Sequence, residues 1–170
     1  DWITRPAHWS RGDEAVDSLC GGVHHLRAAM AGDVALAMLQ RDGLWLLQLR
    51  DDNPDILFPG HWGCFGGHLE PGETAGEAIR RELAEEIDWI PQQPLHAWFS
   101  HHNGRRNVHL FRGDLDVPLQ ALTLREGQDL RLIPLQQILS GTVWSDVVGD
   151  HRPVAPGLQI VLDRLSQEIQ

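Results

Sequence analysis

The chain has 170 residues, 42% of them apolar and 22% charged, a balance that fits one soluble domain with a core of its own. No apolar run approaches bilayer length, which excludes a spanning helix. The net charge of −10 argues against nucleic acid or an anionic membrane as partner, both of which call for basic patches. All fourteen basic residues are arginine, the better bidentate partner for phosphate. Two cysteines, Cys20 and Cys64, offer no disulfide framework and fit a reducing, cytoplasmic setting.

Residues 1–32 read as an N-terminal arm, partly helical. Val16, Leu19, Cys20, Val23, Leu26 and Met30 recur at helical spacing, although Gly21-Gly22 interrupts them. From Asp33 the period changes. Val34–Gln40 and Leu44–Arg50 are apolar, strand-like runs joined at Asp42-Gly43, a hairpin signal. A loop rich in Asp, Pro and Gly follows at 51–60, then a short strand around Trp62–Phe65. Leu95–Ser100 and Asn107–Arg112 read as a second strand pair, Asp129–Pro134 as a further strand, Leu135–Leu139 as a short helix and Val154–Ile169 as the last helix. Strands and helices without regular alternation imply an α+β domain over residues 33–170, with a mixed sheet flanked by helices.

The most informative stretch is Gly66–Trp89. Thr74 with Glu77 three residues on is a capping box, so a helix starts at Ala75. Ala75, Ile79, Leu83 and Ile87 form its apolar stripe, with Glu82, Glu85 and Glu86 on one flank and Glu86 nearest the stripe. Glu77 and Arg81 stand in the favourable i,i+4 order. Three like charges within two turns repel one another, and a partly enclosed, oxygen-only cluster suits Mg²⁺ or Mn²⁺ better than zinc. A solvated acidic face is the plain alternative.

The spacing Gly67-x5-Glu73-x7-Arg81-Glu82-Leu83-x-Glu85-Glu86 resembles the signature of the Nudix hydrolase superfamily, MutT-like members included. It departs only at the end, where Asp88 replaces a glycine and Trp89 an aliphatic residue. Asp tolerates the left-handed conformation that the glycine would take, and Trp89 still supplies apolar area. The hairpin Val34–Arg50 and the acidic loop Arg125-Glu126-Gly127-Gln128 extend the resemblance over about Asp33–Leu165.

The resemblance implies a Nudix-type α/β/α sandwich and a metal-dependent pyrophosphohydrolase. Its substrate would be a nucleoside diphosphate linked to another group, such as a nucleoside triphosphate or a nucleotide sugar. Mg²⁺ or Mn²⁺ would sit on Glu82, Glu85, Glu86 and the Gly66 carbonyl. Glu82 is the first candidate for the base, Glu85 shares the catalytic assignment, and Glu126 is a further ligand or base. Glu73 and Arg81 would brace the loop against the helix. Arg50 is the candidate for substrate phosphates, with Trp62 and Trp98 as stacking surfaces for a base.

The histidine pairs His24-His25 and His101-His102 give no zinc spacing, since neighbours in a strand face opposite ways. His101 and His102 are weaker candidates for the substrate mouth. Val154-Ala155-Pro156-Gly157 lacks the asparagine with which MutT-like enzymes read an oxidised guanine. The chain also lacks the tyrosine of dinucleoside polyphosphate hydrolases and the proline of ADP-ribose hydrolases. The partner is a nucleotide-type small molecule, a homodimer is left open, and the alternative is a Nudix-fold module that binds a nucleotide without cleaving it.

Overall fold

The computed structural model describes residues 32–169, so the helical reading within 1–31, together with Cys20 and His24-His25, lies outside the described residues. β1 (Val34–Arg41) and β2 (Leu44–Leu49) form the expected hairpin. Asp42 and Gly43 both take positive φ at its tip, +53° and +76°, as an Asp-Gly turn of the primed type requires. The hairpin is zipped only at its closed end, where Leu39 pairs with Leu46 and Arg41 with Leu44. Beyond that it forks. β3 (Trp62–Gly63) lies on β2, and β4 (Phe65–His68) lies antiparallel on the first half of β1.

The other edge of β1 pairs in parallel with β6 (Asn107–Asp114), which pairs in turn with β5 (His96–His102). β7 (Asp129–Ile133) closes the opposite side on β2. The result is a seven-stranded mixed sheet. β8 (Thr142–Ser145) and β9 (Asp150–Pro153) make a separate hairpin.

Strand alternation divides the core between two faces. Val34, Leu36 and Met38 of β1 join Trp62, Val108 and Leu110 under α2 (Leu135–Leu139) and α3 (Gln159–Ile169), which contribute Ile138, Val161, Leu162 and Leu165. Ala35, Ala37 and Leu39 face the opposite way, toward α1 (Ala75–Ile87), which contributes Ala78, Ile79, Leu83 and Ile87. A strand buried on both faces reads as an unbroken apolar run, which is why β1 and β2 were legible. Full burial of each such side chain is worth about 1.5–3 kcal/mol. The layering is helix, sheet, helix, as expected. Among the described residues, no helix is long and apolar enough to cross a membrane.

Three expectations need correction. The single short strand expected around Trp62–Phe65 is two: β3 ends at Gly63, and β4 runs to His68 through Gly66-Gly67, because bonding to β1 overrides the low strand propensity of glycine. The β8–β9 hairpin was not foreseen; its strands are short and largely exposed, with little apolar alternation. The last helix starts at Gln159, since Pro156-Gly157 form a tighter turn before it.

Candidate active site

α1 begins as its sequence dictates. The Thr74 hydroxyl accepts the Glu77 N–H at 3.1 Å, and the Glu77 carboxylate accepts the Thr74 N–H at 3.0 Å. That engagement corrects the Glu77–Arg81 pairing: Glu77 serves the cap, and Arg81 reaches other acids. Arg81 donates Nε to Glu73 Oε1 at 2.7 Å and a terminal nitrogen to Glu73 Oε2 at 3.0 Å, a two-point contact. Its other bonds go to the His68 carbonyl at 2.9 Å, Glu82 Oε1 at 3.0 Å and Glu85 Oε2 at 3.3 Å. Glu73 also accepts the Glu70 N–H at 2.8 Å, so the loop, β4 and α1 meet at one guanidinium. Hydrogen bonding to Arg81 holds the Glu73 carboxyl below its ordinary pKa.

The other end of the helix closes on Asp88, left-handed at φ +52°, with its N–H on the Ala84 carbonyl at 3.1 Å. Trp89 is buried in the α1-side core and donates Nε1 to Asp116 at 2.9 Å. Both substitutions at the end of the motif are therefore accommodated as expected.

Between these ends stand the acids. Glu82 is 5% exposed and Glu86 only 1%, whereas Glu85 is exposed and turned toward Arg81. Glu86 accepts the Gly66 N–H at 3.0 Å. The two glycines have different reasons for lacking a side chain. At Gly66, with φ +137°, a Cβ would stand 2.0 Å from the Ala35 carbonyl oxygen; at Gly67 it would stand 2.5 Å from Glu82 Oε1. One permits strand pairing, the other lets a carboxylate lie against the backbone. Burial raises the pKa of Glu86 well above the ordinary carboxyl value, and Glu82 and Glu126 raise it further. Burial raises Glu82 as well, with Glu85 adding to it while Arg81 opposes.

Glu126 arrives from outside the helix. The Thr123 and Arg125 N–H groups bond the Ile87 and Glu86 carbonyls at 3.1 and 2.8 Å, stapling the loop to the end of α1. Gln128 N–H then bonds the Leu49 carbonyl at 2.7 Å, so the loop bridges helix and sheet. Half-buried between them, Glu126 has its pKa raised by desolvation first and by Glu82 second. Arg50 completes the group. It is 4% exposed, and burial lowers its pKa to about 10, while Glu126 and Glu86 pull the other way. Its Nε donates to the Leu57 carbonyl at 3.0 Å.

Glu82, Glu86, Glu126 and Arg50 thus share one electrostatic neighbourhood, with Gly66 and Gly67 beneath the helix acids. Among the described residues, no three His, Cys, Asp or Glu side chains already form a cation cage. The donors present are all oxygens, buried enough to favour protons, and their chemistry fits a hard divalent ion such as Mg²⁺ or Mn²⁺.

Trp62 is corrected. It is fully buried, donates Nε1 to the Val143 carbonyl at 3.0 Å, and has no face left for a base. Trp98 lies with the α3-side core, half-buried, stacked edge-on with Phe99, under Arg112, and bonded to Glu168 at 3.0 Å. None of those partners belongs to the acidic group. His101 is half-buried and His102 exposed, the latter accepting the Gly104 N–H at 3.1 Å. Sequence reasoning passed over Phe58, which lines a slot with Arg50 on the α3 side. Its signal was faint: an aromatic residue inside a Pro/Gly loop.

The NUDIX domain matches residues 30–154, most of the chain. The chain belongs to the NUDIX family. Among curated NUDIX relatives, nucleoside triphosphatase NudI of Salmonella arizonae is 44% identical over 54 residues, 32% of this chain and 38% of that protein. The chain thus spans well under half the length of the curated relatives it matches. MutT protein from Methanosarcina mazei Go1 shares the fold at TM-score 0.57 and 18% identity, covering 84% of this chain and 97% of its own. The NUDIX domain of Shewanella oneidensis NrtR, solved with ADP ribose, superposes at TM-score 0.57 and 17% identity over 85% of this chain and 90% of its own.

Proposed function

We propose that the protein is a metal-dependent pyrophosphohydrolase that cleaves a phosphoanhydride in a nucleoside diphosphate derivative, a nucleoside triphosphate or a nucleotide sugar. The observation that carries this reading is the burial of Glu82 and Glu86 beside Glu126, each with its proton affinity raised. Carboxylates held together away from water are costly unless a cation joins them. The curated relatives named nucleoside triphosphatase NudI are compatible with it.

Glu82, Glu86, Glu85 and the Gly66 carbonyl would hold Mg²⁺ or Mn²⁺, with Glu85 leaving Arg81 to join them. Such an ion, when bound, neutralises phosphate oxygens and lowers the pKa of water. The remaining work falls to side chains. Glu82 or Glu126 takes the proton from the attacking water, and a carboxyl pushed upward by burial is better matched to that task near neutral pH. Arg50, whose charge is weakly screened where it is buried beside Glu126, would bind substrate phosphate oxygens. Glu73 and Arg81 fix the loop and helix, so that Glu82 keeps its place over Gly67.

A panel of nucleoside triphosphates and nucleotide sugars, assayed with Mg²⁺ for wild type, Glu82→Gln and Glu85→Gln, tests the proposal. The expected loss is roughly 10²-fold or more for Glu82→Gln. If nothing in the panel is hydrolysed, or both variants match wild type, the proposal is wrong.

A further inference from the structure

A second constellation stands on the α1 side of the sheet, two strands over from Gly66-Gly67. Register puts Ser100 of β5 directly opposite His109 of β6, and His109 beside Ala35, two residues after Asp33. The Ser100 hydroxyl lies 2.9 Å from His109 Nδ1, and His109 Nε2 lies 3.3 Å from Asp33 Oδ2. Asp33 is 6% exposed and also accepts the Asn107 main-chain N–H at 3.2 Å and its side-chain amide at 3.4 Å, so the carboxylate is fixed in place. A carboxylate beside Nε2 keeps the ring proton on that nitrogen, which leaves the Nδ1 lone pair for the Ser100 hydroxyl.

Two features set this contact apart from an ordinary cross-strand pair. The register of β5 shifts between Ala97 and Phe99. In a regular strand Ala97 and Ser100 would face opposite ways; one extra residue puts both on the His109 face. Bulges recur beside active sites because they re-aim a side chain in this way. The second feature is a hollow of about 330 Å³ next to the pair, within the size of small-ligand sites. Its apolar wall is Ile79, Leu95 and Phe111, and Phe111 lies two residues from His109 and opposite Ala97. Side chains two apart on a strand are about 7 Å from each other, so the hydroxyl stands at the margin of the hollow. The polar groups at its mouth are already engaged: Thr74 and Glu77 in the helix cap, Arg80 on the Pro91 carbonyl. Ala97, small and exposed, leaves the way between hydroxyl and hollow open.

We propose that Ser100 is a nucleophile, with His109 as its base and Asp33 as the positioning residue, in a second, metal-independent activity: hydrolysis of carboxylic esters with a short apolar acyl chain. The acyl chain lies in the hollow. Ser100 Oγ attacks the ester carbonyl carbon while its proton passes to His109 Nδ1; the carbon–oxygen bond to the alcohol then breaks, and the alcohol leaves with that proton. Water attacks the acyl-serine in turn, giving a proton to Nδ1, and Ser100 departs from the acyl carbon and takes that proton back. β5 ends the sheet, so among the described residues alternate N–H groups along its outer edge meet no strand and are available to the oxyanion. The two ring nitrogens exchange the roles they have in the familiar serine hydrolases, but such a triad is defined by geometry and role.

Hydrolysis of p-nitrophenyl butyrate and p-nitrophenyl acetate in EDTA tests this, using wild type, Ser100→Ala, His109→Gln and Asp33→Asn. Wild type is expected to favour butyrate by about 10-fold in kcat/KM, the scale of added methylenes in an apolar site. Ser100→Ala and His109→Gln should each lose roughly 10²-fold or more in kcat. Asp33→Asn should also lower kcat by roughly 10²-fold or more with KM unchanged, because it sets the wrong tautomer and leaves the hollow intact. Ser100 is exposed, so Ser100→Ala should unfold at the wild-type midpoint, which separates lost activity from lost folding. A fluorophosphonate gives an independent reading: Ser100 Oγ displaces fluoride from phosphorus, and peptide mass spectrometry should find the adduct on Ser100 in wild type and not in His109→Gln. Butyrate hydrolysis unchanged in Ser100→Ala, activity lost in EDTA, equal rates on the two esters, or neither turnover nor adduct in wild type overturns the inference. EDTA removes the ion that the pyrophosphohydrolase needs, so each activity stands or falls without the other.

Discussion

The two ends of the Gly66–Trp89 segment treat glutamate in opposite ways. At the braced end, Glu73 lies against Arg81 and its proton affinity falls. At the loaded end, Glu86 lies between helix and sheet, meets other acids, and its proton affinity rises. Residue type is the same and the two lie on one segment, Glu73 in the loop before α1 and Glu86 in its last turn; the neighbours differ. The braced end pairs its carboxylate with a guanidinium, and the loaded end carries the cost of burying like-charged groups together.

That contrast can be broken or sharpened by mutation. The largest effect is expected from Gly66→Ala, whose Cβ collides with the Ala35 backbone; a loss of about 4 kcal/mol or more, measured by denaturant unfolding, is the scale of such clashes. Gly67→Ala is the control. Its Cβ meets only the movable end of Glu82, so the fold should survive while Mg²⁺-dependent activity falls. Equal destabilisation of the two variants would erase the distinction drawn between these glycines.

Next is Arg81→Ala, which removes a side chain bonded to Glu73, Glu82, Glu85 and His68. About 2 kcal/mol of stability should be lost, the scale of one or two charge-assisted bonds on a half-exposed residue. Destabilisation below about 0.5 kcal/mol would show that the braced end braces nothing.

The pH dependence separates the ends further. A carboxyl raised in the folded state binds more protons folded than unfolded. Its contribution to stability therefore falls as pH climbs from the unfolded carboxyl range, about 4.3, toward the folded value. Glu86 follows this sign, Glu73 the reverse, its contribution being present above that range and lost as pH drops through its lowered folded value. In EDTA, Glu86→Gln should raise the unfolding midpoint at pH 8 by roughly 3 °C, the shift that about 1 kcal/mol produces at this chain length. Glu73→Gln should lower it at pH 7 and converge with wild type near pH 3. Adding Mg²⁺ should stabilise wild type more than Glu86→Gln. Identical midpoints for Glu86→Gln and wild type across pH 5 to 8 would contradict the burial cost described.

The smallest effect belongs to Asp88→Gly. Its φ of +52° favours glycine, but the exposed Arg125 contact at 3.2 Å is lost, so the net change should stay within about 1 kcal/mol.

How much of this could be read beforehand follows from the range of each interaction. The capping box, the apolar stripe of α1 and the Asp-Gly turn involve residues within a few positions of one another, and they were legible. The sheet pairing of Gly66-Gly67 depends on β1, some thirty positions earlier, and was not. Glu126 was suggested by the family resemblance, but its approach to Glu86 depends on backbone bonds between distant segments. Trp62 was misjudged because an indole near a loop looks the same in sequence whether its face is open or packed. Arg81 chose Glu73 over Glu77 because the cap had already claimed Glu77, a competition that pair spacing alone does not reveal.

The staple between residues 123–125 and the end of α1 has one more consequence. Terminal helix carbonyls need donors, and here two come from the main chain of the Glu126 loop. The position of Glu126 is then encoded in the path of the backbone and not in the side chains leading to it. Thr123 and Arg125 are both exposed, and their identities are open to drift. Inserting or deleting a single residue between Thr123 and Gln128 would move the carboxylate, however mild the chemistry of the change. In this loop length is constrained throughout, and composition is open only at the exposed positions: Gly127, at φ +99° with a Cβ position 2.8 Å from the Leu49 carbonyl oxygen, admits no side chain.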